Sequence, residues 1–411
     1  MADAGACCTC PAKRSLKLRV ARWHSSGECG LGYKPDARSS RERYRMRKSV
    51  DIIGTRGYPS YYGGFETLVR QLSPYLAGEG WHVTVYGRPG GTAMADSCRD
   101  PRIECVITRG IESKSFSTLS YGLTSTMHAA KRRPDVALVM NVANGYWLPL
   151  LKARRTPTVV NVDGLEWERA KWGQTARAAF RAGALLTARF ADNLVFDSHE
   201  IGRRWSETFN REGVFIPYGG SVPKAAAPLI EGLSRRAYAL MVARFVPENT
   251  VAEFFDAAEE LSKRWVVVIV GSSGYGGALE ARAKRLAASN KLIHWLGHVS
   301  DDARLFALWQ NAGVYFHGHS VGGTNPALVQ AMACGAPTVA RNTVYNREVL
   351  ADAGVYVEPD GRAIALALES VLSDAALQDR LSTAAIARQH EVYTWEHVCR
   401  KYAETLEGAL R

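Results

Sequence analysis

From residue 49 onward the chain alternates between short apolar runs of strand length and longer helix-length segments, and this alternation stops once and then restarts. The first series of strand-like runs falls at 50–54, 83–86, 103–107, 136–140, 158–162, 194–196 and 214–216, with helical stretches at 65–80, 117–132 and 175–190. A Pro-, Gly- and Ala-rich segment, PYGGSVPKAAAPLIEGLSRR, then interrupts the pattern as a linker. The second series runs through 238–242, 266–270, 292–296, 314–316, 338–340 and 355–357, with helices at 251–263, 279–289, 301–310 and 326–334. Strands separated by helices must connect by right-handed crossovers, which build parallel sheets. The expectation is an α/β chain of two Rossmann-like domains facing across a cleft: 46–220, a linker at 221–236, and 237–390. For the helix at 391–411, packing back on the first domain is one option.

At 411 residues two cores are expected, and 46% apolar with 22% charged residues is a globular composition. No apolar run approaches the roughly 18–20 residues of a membrane helix. The net charge of +12 looks like a nucleic-acid signal until it is divided: residues 1–45 carry +6 and the other 366 residues carry the rest. The body is therefore mildly basic, which suits anionic substrates or an anionic membrane surface and does not call for nucleic acid. Cys7, Cys8, Cys10 and Cys29, with His24, have a spacing that fits no common metal-ligand pattern, and no metal is expected. The scattered Cys98, Cys105, Cys334 and Cys399 read as idle thiols of a cytoplasmic protein. Residues 1–45 lack both periodicity and an apolar signal core. They read either as a disordered basic tail or as a start assigned too early, with Met46 the true beginning.

Ligands of open parallel sheets bind beyond the carboxyl ends of the strands, and four loops at such positions are unusual. In IGTRGYPSYYGGFET, Gly63 and Gly64 expose backbone N–H groups at a positive helix end, flanked by Arg56, Tyr61, Tyr62 and Glu66. Glu66 reads equally as a ligand-facing carboxylate and as a plain complement to the helix dipole. In NVDGLEWER, Asp163 sits at a strand end, where Asp-Gly is often only a turn, and Glu166 and Trp167 add a carboxylate and a sugar-stacking platform. In VARFVPENT, Arg244 could hold a diphosphate bidentately or be a surface arginine, and Asn249 or Thr250 is expected to cap the next helix. In HGHSVGGTNPALVQAM, the pair Gly322-Gly323 with Thr324, Asn325 as cap and Pro326 at the first helical position makes an anion cradle, approached by His317 and His319.

Together with YNREVL, these motifs resemble the GT-B glycosyltransferases of family 4, and most of all their bacterial rhamnosyltransferase-type subgroup, over residues 48–350. The resemblance implies a nucleotide sugar held mainly by the C-terminal domain, at Arg244, His319, Gly322, Gly323, Thr324, Asn325 and Gln330, with Gly63 and Gly64 approaching it from the opposite domain. It implies a saccharide or polyprenyl-diphosphate-linked acceptor near Arg56, Tyr62, Glu66, Asp163, Glu166 and Trp167, with Asp163 beside the anomeric centre and Arg244 on the leaving diphosphate. Anomeric configuration would be retained, without metal or other cofactor, in surface polysaccharide synthesis at the cytoplasmic face of the membrane. Two positions depart from the family pattern. A lysine expected after Arg244 is replaced by Pro247-Glu248-Asn249, and the E-x7-E pattern reads Gly322 and Gln330. A glutamine there suits a deoxyribose, so dTDP-L-rhamnose is the expected donor. UDP- or GDP-sugar transfer, a nucleotide-sugar epimerase and a silent sugar-nucleotide binder are the alternatives.

Overall fold

The computed structural model describes residues 48–411 apart from Tyr62, Met94, Ala95, Ser97, Cys98, Lys114, Ser115, Asp163, Ala170, Lys171, Lys224 and Tyr275. The basic segment with its four cysteines and His24, and the candidate residues Tyr62 and Asp163, lie outside the described residues.

Two parallel sheets account for all thirteen strands. The first joins β1 (Ser49–Ile53), β2 (His82–Gly87), β3 (Glu104–Ile107), β4 (Val136–Met140), β5 (Thr158–Asn161), β6 (Asn193–Phe196) and β7 (Val214–Phe215) in the order 3-2-1-4-5-6-7. The second joins β8 (Tyr238–Val242), β9 (Val266–Val270), β10 (Ile293–Trp295), β11 (Val314–His317), β12 (Thr338–Arg341) and β13 (Gly354–Val357) in the order 10-9-8-11-12-13. Every pairing is parallel, for example Val50 opposite Val83 and Tyr238 opposite Val266. In each sheet the first strand lies at the point where the order reverses, and this is where such sheets bind ligands.

The helices between strands are α1 (Gly64–Gly78), α2 (Ser117–Arg132), α3 (Leu148–Ala153), α4 (Gln174–Phe190) and α5 (His199–Phe209) in the first half. The second half has α6 (Val251–Leu261), α7 (Ala278–Ser289), α8 (Asp302–Asn311), α9 (Pro326–Ala333), α10 (Val344–Leu350), α11 (Gly361–Leu372) and α12 (Ala375–Val392). The last helix, α13 (Trp395–Gly408), returns to the first sheet.

Strand alternation sorts the core. Val50 and Ile52 face a cluster with Leu68 and Leu72 of α1 and Val398, Tyr402 and Leu406 of α13. Ile53 faces the opposite cluster, with Ala184 of α4 and Trp205 of α5. A buried hydrogen bond from Asn161 Nδ2 to Tyr402 Oη, 2.6 Å long, fixes α13 to the end of β5.

The chain therefore passes between the halves twice, and the two passages run side by side. Gly220 donates to the Tyr393 carbonyl at 2.8 Å and pairs in parallel with Thr394, while Gln389 Nε2 donates to the Gly220 carbonyl at 3.1 Å. Close packing requires glycine here: a Cβ on Gly219 would lie 2.6 Å from the Trp395 ring.

Candidate active site

The glycine pair ahead of α1 and the cradle ahead of α9 meet across the cleft. A Cβ on Gly64 would sit 3.2 Å from Tyr218 Oη and 3.4 Å from Pro326 Cγ, so the two helix N-termini converge. At α9, Asn325 caps by accepting from Ala327 N at 3.0 Å, and Pro326 occupies the first turn. At α1, Gly63 makes no side-chain cap, which leaves the first N–H groups of that helix to the cleft. Two positive helix ends with backbone donors between them give a field that favours an anion.

Arg244 follows β8 and is exposed, with no ion pair among the described residues. Only its carbonyl is committed, to Asn249 Nδ2 at 2.8 Å and Val246 N at 2.9 Å. The same Asn249 holds His319, with Oδ1 and Nδ1 2.6 Å apart. His317 is different: it is buried against Tyr315 Oη at 3.0 Å, and burial drives its pKa down to about 3. It is a neutral core histidine at physiological pH. Neither Asn249 nor Thr250 caps α6 with its side chain. Thr250 stands at the cap position in the left-handed region (φ 55°), but its hydroxyl donates to the Gly318 carbonyl at 2.6 Å.

Several candidates prove to be committed elsewhere. Glu66 is buried and accepts from Arg56 N at 3.1 Å, bracing its own loop. Glu166, also buried, pairs with Arg169 Nε at 2.5 Å and accepts from Trp172 Nε1 at 2.9 Å, so it is no acceptor-facing carboxylate. Trp167 is half-buried and packs edge-on against Trp205 and Phe209, drawn there by the apolar side of α5. Thr324 gives its hydroxyl and its N–H to the Asp197 carbonyl. Tyr61 donates to Asp96 at 2.6 Å and lies under Arg70. Gln330 is tied at both ends, accepting from Ser221 N at 2.9 Å and donating to Ser221 O at 2.7 Å. A dTDP preference therefore draws no support from its carboxamide.

Other residues enter that sequence reasoning missed. Arg169, held by Glu166, brings Nη2 to 3.4 Å from where a Cβ on Gly322 would lie, reaching from the first half toward the cradle of the second. Asp197, at the end of β6, packs so tightly on Gly323 that a Cβ there would lie 2.1 Å from Oδ1. Glu348 of α10 crosses over to the N-terminus of α5, accepting from Ser198 Oγ and His199 N at 2.7 Å each. The one available signal was position: Asp197 directly follows a strand. A cavity of about 400 Å³ adjoins the first turn of α9, lined by Tyr58, Arg70, Ser221, Leu305, Trp309 and Gln330 among others. Among the described residues no group of three or more His, Cys, Asp or Glu side chains is placed to hold a metal ion, and no helix is long and apolar enough to cross a membrane.

Two family models match the chain: the glycosyl transferase 4-like domain over residues 63–219 and glycosyl transferases group 1 over residues 230–388. A phosphatidyl-myo-inositol mannosyltransferase of Mycolicibacterium smegmatis is 33% identical over 225 residues, 51% of this chain and 56% of that protein. The O-antigen chain mannosyltransferase B of Escherichia coli is 24% identical over 182 residues, 43% of this chain and 47% of that protein. The chain thus spans about half the length of the curated relatives it matches. Sucrose-phosphate synthase from Thermosynechococcus elongatus shares the fold with a TM-score of 0.72 at 19% identity, over 88% of this chain and 99% of that one. Anabaena HepE in complex with UDP-glucose does so with a TM-score of 0.68 at 15% identity, over 88% and 99%. At these identities the solved structures speak for the GT-B fold alone.

Proposed function

This chain is built as a GT-B glycosyltransferase, and we propose that it moves a sugar from a nucleotide sugar to a saccharide or lipid-linked saccharide acceptor. The observation that carries the reading is the meeting of two helix N-termini across the cleft, Gly64 against Pro326, with Arg244 exposed after β8 and, among the described residues, in no ion pair. A departing nucleoside diphosphate is the charge that such an arrangement stabilises. Arg244 is the proposed diphosphate clamp, with N–H groups around Gly63, Gly64, Gly322 and Gly323 as further donors and His319 and Arg169 alongside. The adjoining cavity of about 400 Å³ has the size and mixed lining expected for a nucleoside.

Retention is proposed from the resemblance: attack on the face the phosphate leaves, with the departing phosphate itself taking the acceptor proton. No side-chain base or metal is invoked, and Asp163 keeps its proposed place beside the reacting carbon. The proposed donor is dTDP-L-rhamnose, on the motifs of the opening and cradle loops. A mannosyl donor is the second reading, favoured by the mannosyltransferase relatives. The proposed setting is surface polysaccharide synthesis, with the protein cytoplasmic or on the inner face of an anionic membrane.

A panel of nucleotide sugars, scored by thermal shift and nucleotide release, tests the reading. Release of nucleotide with a glycoside as product supports it. An epimerised nucleotide sugar would replace transfer with isomerisation, and binding without turnover would leave a silent binder.

A further inference from the structure

Arg88 directly follows β2 at the carboxyl edge of the first sheet and is only 9% exposed. Its guanidinium lies 5.1 Å from the centre of the Tyr121 ring, and Nε is sealed from solvent without a hydrogen-bond partner. Among the described residues it forms no ion pair within 4.0 Å. The local backbone places it there on purpose-built glycines. Gly57 adopts φ 134°, and a Cβ on it would lie 2.0 Å from Thr92 Oγ1; one on Gly91 would lie 2.1 Å from the Arg56 carbonyl. The two loops interlock without side chains, and Arg88 N donates to Arg56 O at 2.9 Å. Burial, and then the neighbouring charge of Arg56, press the Arg88 pKa down, while Glu112 and Glu66 act in the opposite direction from beyond pairing distance. A guanidinium this deep, without a contacting carboxylate among the described residues, is costly in a protein alone. The cost is recovered when a ligand supplies the anion.

We propose that Arg88 is an anion receptor on the acceptor side of the cleft and takes a phosphate group carried by the acceptor. Its terminal nitrogens form the planar fork that matches two phosphate oxygens. With the charge of Arg56 also acting on Arg88, a doubly charged phosphate is favoured over a singly charged carboxylate. The inference rests on the proposed reading only in assigning this half to the acceptor. The phosphate could belong to a lipid diphosphate or to a soluble sugar phosphate.

Calorimetric titration of the full chain with inorganic pyrophosphate, farnesyl diphosphate and glucose 1-phosphate tests it, in the wild type and in Arg88→Met and Arg244→Ala. Wild type should show two phosphate sites. Arg244→Ala should remove one, and Arg88→Met should weaken the other by about tenfold or more, the loss expected for a charge-assisted hydrogen bond. Tighter binding of farnesyl diphosphate than of pyrophosphate assigns the phosphate to a lipid, and tighter binding of glucose 1-phosphate assigns it to a soluble sugar. Unchanged affinities in Arg88→Met would overturn the inference. Should that variant fail to fold, Arg244→Ala decides alone: complete loss of pyrophosphate stabilisation in its melting curve means a single site on the donor side, and the inference falls. Donor turnover, measured separately, tests the transferase reading, so that either idea can fail without the other.

Discussion

The two halves share strand order and connection, yet they treat the side chains after their strands in opposite ways. In the second half Arg244 projects from the end of β8 with its guanidinium uncommitted, and the cradle before α9 is made mostly of backbone. In the first half the conspicuous motif side chains are turned on one another: Glu66 braces Arg56, Glu166 holds Arg169, and Trp167 packs on Trp205. A phosphate-binding surface can be built from N–H groups and one arginine because its ligand is invariant and charged. On the proposed assignment of this half to the acceptor, these side chains hold its shape before the acceptor arrives and leave Arg88 to meet the ligand.

The sharpest way to break this comparison is Glu166→Ala. Removing the carboxylate breaks both the ion pair with Arg169 and the hydrogen bond from Trp172 Nε1, and stability should fall by about 3 kcal/mol, read from the urea midpoint. A variant that keeps wild-type stability but loses transfer would mean that Glu166 faces the acceptor after all. Next in size is Arg244→Ala. Turnover should drop by about 100-fold or more, the scale of one lost transition-state donor, with little change in Tm because the side chain is exposed and unpaired. Near-normal turnover would remove Arg244 from the site.

His317 gives a pH-dependent contrast within the second half. Its folded pKa of about 3 lies below the unfolded value near 6.5. Between those values the unfolded chain binds a proton that the folded chain refuses, so stability is lost as pH is lowered, at up to about 1.4 kcal/mol per unit. His317→Gln should flatten the Tm-versus-pH profile between pH 6 and 4 relative to wild type. A parallel profile would show that the native imidazole accepts the proton.

Gln330→Glu is the smaller test. Replacing the amide donor by an oxygen opposes the Ser221 carbonyl and should cost about 1 kcal/mol, measured by melting. If affinity for UDP over dTDP rises without loss of stability, Gln330 faces the ribose and not the linker. Removal of residues 1–45 should leave melting and turnover unchanged, and a large loss of either would tie that segment to the domains.

How much was legible depended on whether a signal was local. Thirteen strands could be located because apolar runs bounded by Gly, Pro and helical periodicity are local patterns, and the cap at Asn325-Pro326 is local too. Thr250 failed as a cap because the Gly318 carbonyl, 68 positions away, competes for its hydroxyl. Glu166 and Trp167 looked functional in a strand-end loop, but Trp172 and Trp205 claim them, and nothing in the nine-residue motif announces those neighbours. Arg88 was overlooked for the converse reason: an arginine before Pro-Gly reads as an ordinary turn until Tyr121 is found beneath it.

The paired passages at Gly220 and Thr394 have a mechanical consequence. With both covalent connections at one place, the halves are joined as by a single pin. A rotation there displaces the far rim of the cleft most and the Gly220–Tyr393 bond least. Torque on the cleft is concentrated on a few residues, among them Gly219, Ser221, Gln330 and Gln389. A side chain added at Gly219 would press on Trp395 and jam the pin at its narrowest point.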